Sequence, residues 1–242
     1  MINLYCFSAT GRTRKVADFF AERLNVDVID IEPKKSTEKL ISDLAIIVFP
    51  VYCQNIPTPV KSVLPLIKAE KFIIIATYGK KSFGNVIYNA SKLISGKVIA
   101  AAYVPIGHTY LNQEVDFDFS LLEPILDCIS NTKAIEIPKY FKNPLADFFP
   151  KIRSQIGVKI KSTNACNGCG LCTEKCVMMA ISKGEINSNC IRCLRCVDIC
   201  PNNALNVKYN CFLKTYLKNI NNKKFKLYCN GNNNDKKNRG YK

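Results

Sequence analysis

Eight of the chain's thirteen cysteines lie between Cys166 and Cys200, in two runs of identical spacing. The first is Cys166-x2-Cys169-x2-Cys172-x3-Cys176; the second is Cys190-x2-Cys193-x2-Cys196-x3-Cys200, followed by Pro201. The runs are offset by 24 residues, and the repeat extends past the thiols, since Ala180-Ile181 stands 24 before Ala204-Leu205. Three thiolates spaced by three hold three corners of one 4Fe–4S cubane, and the fourth points away, toward a neighbouring cluster. That crossing assigns Cys166, Cys169, Cys172 and Cys200 to one cluster, and Cys176, Cys190, Cys193 and Cys196 to the other. Structural zinc is the competing reading. Zinc sites favour paired C-x2-C hooks over a triplet plus one, and a single histidine leaves almost nothing for mixed Cys/His ligation.

Composition bounds what else the chain can be. Its 242 residues suit one medium and one small domain, and 48% hydrophobic residues exclude full disorder. No stretch approaches the roughly 18 apolar residues that cross a bilayer, so no membrane span is expected. Met1-Ile-Asn-Leu-Tyr5 reads as the start of a strand and not as a secretion signal, so a cytoplasmic location is expected. There, cysteines serve metals or catalysis more often than disulfides. The formal charge of +16 invites a nucleic-acid reading. Two clusters and one bound nucleotide phosphate would bring it to about +10, however. Many lysines also fall after residue 207, in an Asn/Lys-rich tail over 211–242 that is expected to be disordered. Nucleic-acid binding is therefore not expected.

The first half must position a second set of residues. Ile2–Phe7 is an apolar run ending in Ser8-Ala9-Thr10-Gly11-Arg12-Thr13, after which Val16, Phe19, Phe20 and Leu24 recur at helical spacing. Short strands are expected at Val26–Ile31, Leu44–Val51, Phe72–Thr77 and Val98–Val104, with helices near 58–67, 84–95 and Leu121–Ile129. Alternation of this kind gives an α/β fold, a doubly wound five-stranded parallel sheet. Hydroxyls and free amides of residues 8–13 then meet the positive end of a helix dipole, which makes an anion site. Residues 136–155, punctuated by Pro138, Pro144 and Pro150, read as a connecting arm. Beyond them Val158 and Ile160, and Leu205, Val207 and Tyr209, alternate as strands that bracket the cysteines.

Over residues 156–210 the chain resembles the bacterial two-cluster ferredoxins. Gly168 and Gly170 keep that family's pattern, Val177 stands where a proline usually follows the fourth cysteine, and Arg192 and Leu194 occupy positions that are often small. Over residues 1–135 it resembles the flavodoxins, whose phosphate loop T/S-x-T-G-x-T is matched by Ser8–Thr13, with Arg12 in place of the commonest Asn. That resemblance implies FMN, with ring loops at Pro50-Val51-Tyr52-Cys53-Gln54-Asn55-Ile56-Pro57 and Thr77-Tyr78-Gly79-Lys80-Lys81-Ser82-Phe83-Gly84. Loops at the carboxyl ends of neighbouring strands would meet at the switch point. Tyr52 and Tyr78 are placed to flank a ring or to be ordinary loop aromatics, and Gly79 to admit close backbone approach.

The whole chain thus resembles the flavodoxin–ferredoxin fusions of anaerobes: a flavodoxin-like FMN domain over 1–135 and a small α+β two-cluster ferredoxin-like domain over 156–210. The resemblance implies electron transfer between a redox partner, expected to be acidic, and FMN through two 4Fe–4S clusters. The alternative is a flavin-dependent reductase of a small organic acceptor. No G-x-G-x-x-G fingerprint points to NAD(P)H. Cys6 and Cys128 read as core residues, Cys53 as a loop thiol beside the ring, and His108 as a surface histidine.

Overall fold

The computed structural model describes residues 1–32, 40–131, 133–140, 150–218 and 224–229. The chain forms two compact units: Met1–Lys142 together with Asn221–Lys242, and Asn143–Ile220.

The first unit is a mixed α/β fold around a mainly parallel sheet. Its first pass runs β1 (Ile2–Cys6), α1 (Arg12–Leu24), β2 (Val28–Asp30), β3 (Leu40–Pro50), α2 (Thr58–Val63), β4 (Ile67–Tyr78), α3 (Val86–Ser91), β5 (Lys97–Pro105) and α4 (Glu123–Asp127). Strands β3, β4 and β5 read as near-continuous apolar runs because both faces are covered, as parallel strands require. Ala45–Phe49, Phe72–Ala76 and Ile99–Ala102 have no exposed surface. Helix α1 lays Val16, Ala17, Phe19 and Phe20 into the core and ends where Asn25, in the left-handed region, donates its N–H to the Ala21 carbonyl. Truncating fully buried Phe20 to Ala would cost about 3–5 kcal/mol. The stretch expected as one helix over Leu121–Ile129 is broken into single turns, with Pro124 near the start of α4.

From β1 the chain moves outward to β2, then returns to place β3 on the other side of β1, with β4 and β5 following. This reversal leaves a crevice at the carboxyl ends of β1 and β3. Residues 8–13 and 51–57 follow those strands directly, and residues 79–84 follow β4.

The second unit opens with α5 (Pro150–Gly157) and β6 (Val158–Ser162). It continues through α6 (Leu171–Glu174), β7 (Ile181–Ser182), β8 (Glu185–Ile186), α7 (Arg195–Asp198), β9 (Leu205–Tyr209) and α8 (Cys211–Lys218). Strands β6 and β9 pair antiparallel from Val158↔Tyr209 to Ser162↔Leu205 and close the unit at its two ends.

The chain then returns to the first unit as β10 (Lys226–Cys229), antiparallel on β5. This corrects the expectation of a disordered tail over 211–242: Cys211–Lys218 is helical and Lys226–Cys229 is the sixth strand of the sheet. The composition is polar, yet Leu217 and Tyr228 are buried, and Phe225, Leu227 and Cys229 pack against the core of the first unit. The remainder of that tail, residues 219–223 and 230–242, lies outside the described residues. The connecting arm is also divided. Asn85 exchanges two hydrogen bonds with the backbone of Tyr140 in the first unit, and α5 belongs to the second.

Candidate functional site

The 24-residue repeat is repeated in backbone geometry. Gly170 and Leu194 both enter their single-turn helices in the left-handed region, with φ of 78° and 64°. Gly168 and Arg192 share that conformation at φ 73° and 57°, as do Met179 and Asn203 at 49° and 48°. Ala180 N–H donates to Cys176 Sγ and Ala204 N–H to Cys200 Sγ, each at 3.3 Å. A backbone twist that glycine adopts freely costs roughly 1–2 kcal/mol for other residues. The second run therefore carries strain at Arg192 and Leu194 that the first avoids.

The thiols divide between two cavities. One of about 390 Å³ is lined by Cys166, Cys169, Cys172 and Cys200, with Gly168, Gly170 and Gly184 in its wall. A Cβ added at Gly168 or Gly170 would meet nothing within 4 Å, so the backbone there faces open space. The other cavity is tighter, about 20 Å³, and is lined by Cys176, Cys190, Cys193 and Cys196. Ile160, Ile181, Ile186 and Leu194 also line it. Burial pushes the Cys193 thiol up to about 11 and the Cys196 thiol up to about 12. Such thiols ionise readily only beside a compensating cation. Among the described residues no three of His, Cys, Asp or Glu converge on a single-ion point. Each set of four cysteines lines one of the two cavities.

In the first unit, Gly11 sits at φ 76° at the start of α1 and has no side chain with which to cap it. Ser8 Oγ accepts from Arg14 N–H at 3.1 Å. Arg12 closes over the loop: its guanidinium donates to Thr10 Oγ1 (3.0 Å), the Asn112 side-chain carbonyl (3.0 Å) and the Gln113 backbone carbonyl (2.8 Å). Arg12 thus sets a cation over the 8–13 loop and ties it to the segment after β5, about 100 residues away in sequence, which sequence could not signal. Thr13 is buried, and its hydroxyl lies 2.8 Å from that of buried Thr77. Expected as a phosphate ligand, Thr13 instead joins α1 to β4 from below, while Ser8, Ala9 and Thr10 remain partly exposed.

The loops expected to meet a ring follow β3 and β4. Val51 N–H donates to the Thr77 carbonyl, holding the Pro50–Val51 end against β4. Tyr52 and Asn55 exchange backbone hydrogen bonds around Cys53 and Gln54, which have φ of 50° and 63°. This tight turn leaves Tyr52 partly exposed and presents Cys53 at its tip. Gly84, at φ 59°, packs against Gln54 so closely that a Cβ would come within 2.9 Å of it. Lys80 is buried with its Nζ 3.6 Å from the Asp116 carboxylate.

Two expectations need correcting. The Tyr78 side chain, expected beside a ring, is 2% exposed and donates its hydroxyl to the Lys224 carbonyl. It belongs to an aromatic cluster with Phe83, Tyr103, Tyr140 and Tyr228; Phe83 stacks on Tyr103 at 4.0 Å. His108 is no surface histidine. Its ring packs on Gly79, its Nδ1 accepts from Tyr110 N–H, and burial with the nearby Arg12 charge lowers its pKa to about 4.

Residues 186–206 match the family described as 4Fe-4S binding domain. The match takes in Cys190, Cys193, Cys196 and Cys200. No curated protein matches the chain. Among solved structures, the chain is similar to a "putative flavoprotein" from Bacteroides eggerthii DSM 20697, at 17% identity and a TM-score of 0.38. The similarity covers 54% of this chain and 98% of that one. Another so described, from Bacteroides uniformis ATCC 8492, is 18% identical with a TM-score of 0.36, over 46% of this chain and 93% of that one. Among the described residues no helix is long and apolar enough to cross a membrane.

Proposed function

We propose that the chain is an electron-transfer protein with two 4Fe–4S clusters in its second unit and FMN at the crevice of its first. The observation that carries this reading is the division of eight cysteines between two cavities, each lined by three thiols of one run and the fourth of the other. Cys166, Cys169, Cys172 and Cys200 would hold one cluster; Cys176, Cys190, Cys193 and Cys196 the other. The clusters supply one-electron chemistry, and FMN exchanges one electron or two.

The protein's own residues do the rest. Amide donors at Ala180, Ala204 and Arg192 aim at Cys176, Cys200 and Cys190 sulfurs and would favour the more negative, reduced state. Isoleucines around the second cavity keep water from its sulfurs. The 8–13 loop, with the Arg12 charge above it, would hold the phosphate, and the 50–57 and 79–84 loops would enclose the ring. Covalent linkage of both units raises the effective concentration of each centre for the other. Arg195 and exposed Lys175 give the second unit a basic surface suited to an acidic redox partner.

The test is oxygen-free purification with iron, sulfide and flavin quantified on one sample. About eight iron and eight sulfide per chain, with one FMN, is the expected result. Zinc in place of iron would overturn the cluster reading, and protein that neither retains nor rebinds FMN would overturn the flavin reading.

A further inference from the structure

The first unit contains a bonded cysteine pair that neither the clusters nor the anion loop uses. Cys128, expected as a plain core residue, is joined to Cys229 across 101 residues of chain, with Cα atoms 6.6 Å apart. Cys128 is buried at 1% exposure, whereas Cys229, on the edge strand, is partly exposed. Strand β10 has only four residues, paired from Lys226↔Tyr103 to Cys229↔Ala100. A strand so short depends on what pins it.

What β10 and its approach cover is specific. The Lys224 carbonyl accepts the Tyr78 hydroxyl at 2.7 Å. The Tyr228 hydroxyl pairs with that of Tyr140, and its ring meets the edge of Tyr103. Lys226 Nζ stands 4.2 Å from the centre of the Tyr140 ring and 5.9 Å from that of Phe83. Tyr78 and Phe83 lie at the two ends of the loop after β4.

We propose that Cys128 and Cys229 form a dithiol–disulfide switch: oxidised, it clasps β10 over Tyr78 and Phe83; reduced, it releases the strand. The exchange balances with a dithiol reductant. One reductant thiolate attacks the sulfur of Cys229, the more exposed residue of the pair, and the Cys128 sulfur leaves and takes a proton. The reductant's second thiol then displaces Cys229 as a thiol, so two electrons enter the pair and the reductant becomes a disulfide. The new Cys128 thiol has an acceptor waiting, since its sulfur lies 3.2 Å from the Pro124 carbonyl oxygen. Release of β10 removes the acceptor of the Tyr78 hydroxyl and uncovers Tyr103, which loosens the loop that Tyr78 begins. The consequence for flavin rests on the FMN reading; the switch itself does not.

The test uses the full-length, cluster-loaded protein without oxygen, either oxidised or treated with dithiothreitol. Alkylation mapping scores Cys128 and Cys229, and hydrogen exchange scores amides 227–229 against those of 46–48 in β3. Reduction should open both cysteines to alkylation and speed exchange in β10 by about tenfold or more, leaving β3 unchanged. Cys229→Ser should show the reduced pattern without reductant and not respond to it, while Cys211→Ser should respond as the parent does. A bond that dithiothreitol cannot open in the folded protein would overturn the switch. So would alkylation of both cysteines with unchanged exchange in β10. FMN binding is titrated separately in both states. Its absence from both counts against the flavin reading alone, and the exchange result still decides the switch.

Discussion

The imidazole of His108 packs against Gly79: a methyl group there would come within 2.6 Å of His108 Cδ2. The loops after β4 and β5 are therefore packed backbone to ring, and Gly79→Ala must push them apart. Overpacking of this kind costs about 1–3 kcal/mol. Urea unfolding should show that loss, and Gly79→Ala combined with His108→Ala should recover much of it. Equal destabilisation by Gly79→Ala with and without His108 would mean the clash is relieved elsewhere.

His108 also predicts a pH dependence. Its pKa is lowered from 6.5 to about 4 in the folded state, because burial and Arg12 disfavour the imidazolium. The unfolded chain thus binds more protons between those values. This contribution to stability is full above pH 6.5 and is lost as pH falls toward 4, by as much as about 3 kcal/mol. Unfolding of the parent and of His108→Gln across pH 4–7.5 isolates it. The difference between the two proteins should shift over that window and stay flat above it.

Crossed ligation predicts asymmetric damage. Cys200→Ser should impair the cluster of Cys166, Cys169 and Cys172 and spare the one bounded by Cys190, Cys193 and Cys196; Cys176→Ser should do the reverse. Iron should fall toward about four per chain in each variant, with different surviving electron-paramagnetic signals. Loss of the same cluster in both variants would defeat the crossing.

The anion loop makes a separate prediction. Thr10 is at the loop and Thr13 beneath it, bonded to Thr77. Thr10→Val should weaken FMN about tenfold and riboflavin little, because only FMN carries the phosphate. Thr13→Val should instead cost about 1 kcal/mol of stability. Equal loss of both ligands in Thr10→Val would place the phosphate elsewhere.

If the chain is a carrier, the rate of electron exchange with an acidic ferredoxin should fall steeply as ionic strength rises. Stopped-flow reduction across a salt series measures this. Fast, salt-insensitive turnover of a small organic acceptor would favour the reductase alternative.

Some of this was legible in sequence because its signals are local. Apolar runs marked β1, β3, β4 and β5, and cysteine spacing marked the two cavities. Other features have no local signal. The turn at Cys53 and Gln54 uses two left-handed residues that are neither glycine nor asparagine, so composition gave no hint of it. Arg12 meets Asn112 and Gln113, and Cys128 meets Cys229, only because the sheet brings distant segments together. The Asn/Lys-rich flanks of Lys226–Cys229 hid a strand whose order comes from Phe225, Leu227, Tyr228, the Cys128–Cys229 bond and an edge already formed by β5.

That last strand has a consequence for how the protein is made. A ribosome delivers β1 to β5 first, then the whole cysteine-rich unit, and only afterwards the four residues that cover the β5 edge. During that interval the nascent sheet exposes an unpaired apolar border of the kind that recruits foreign strands. Chains ending before Lys226 keep that border uncovered, so truncation there should raise the fraction lost to aggregates or proteolysis.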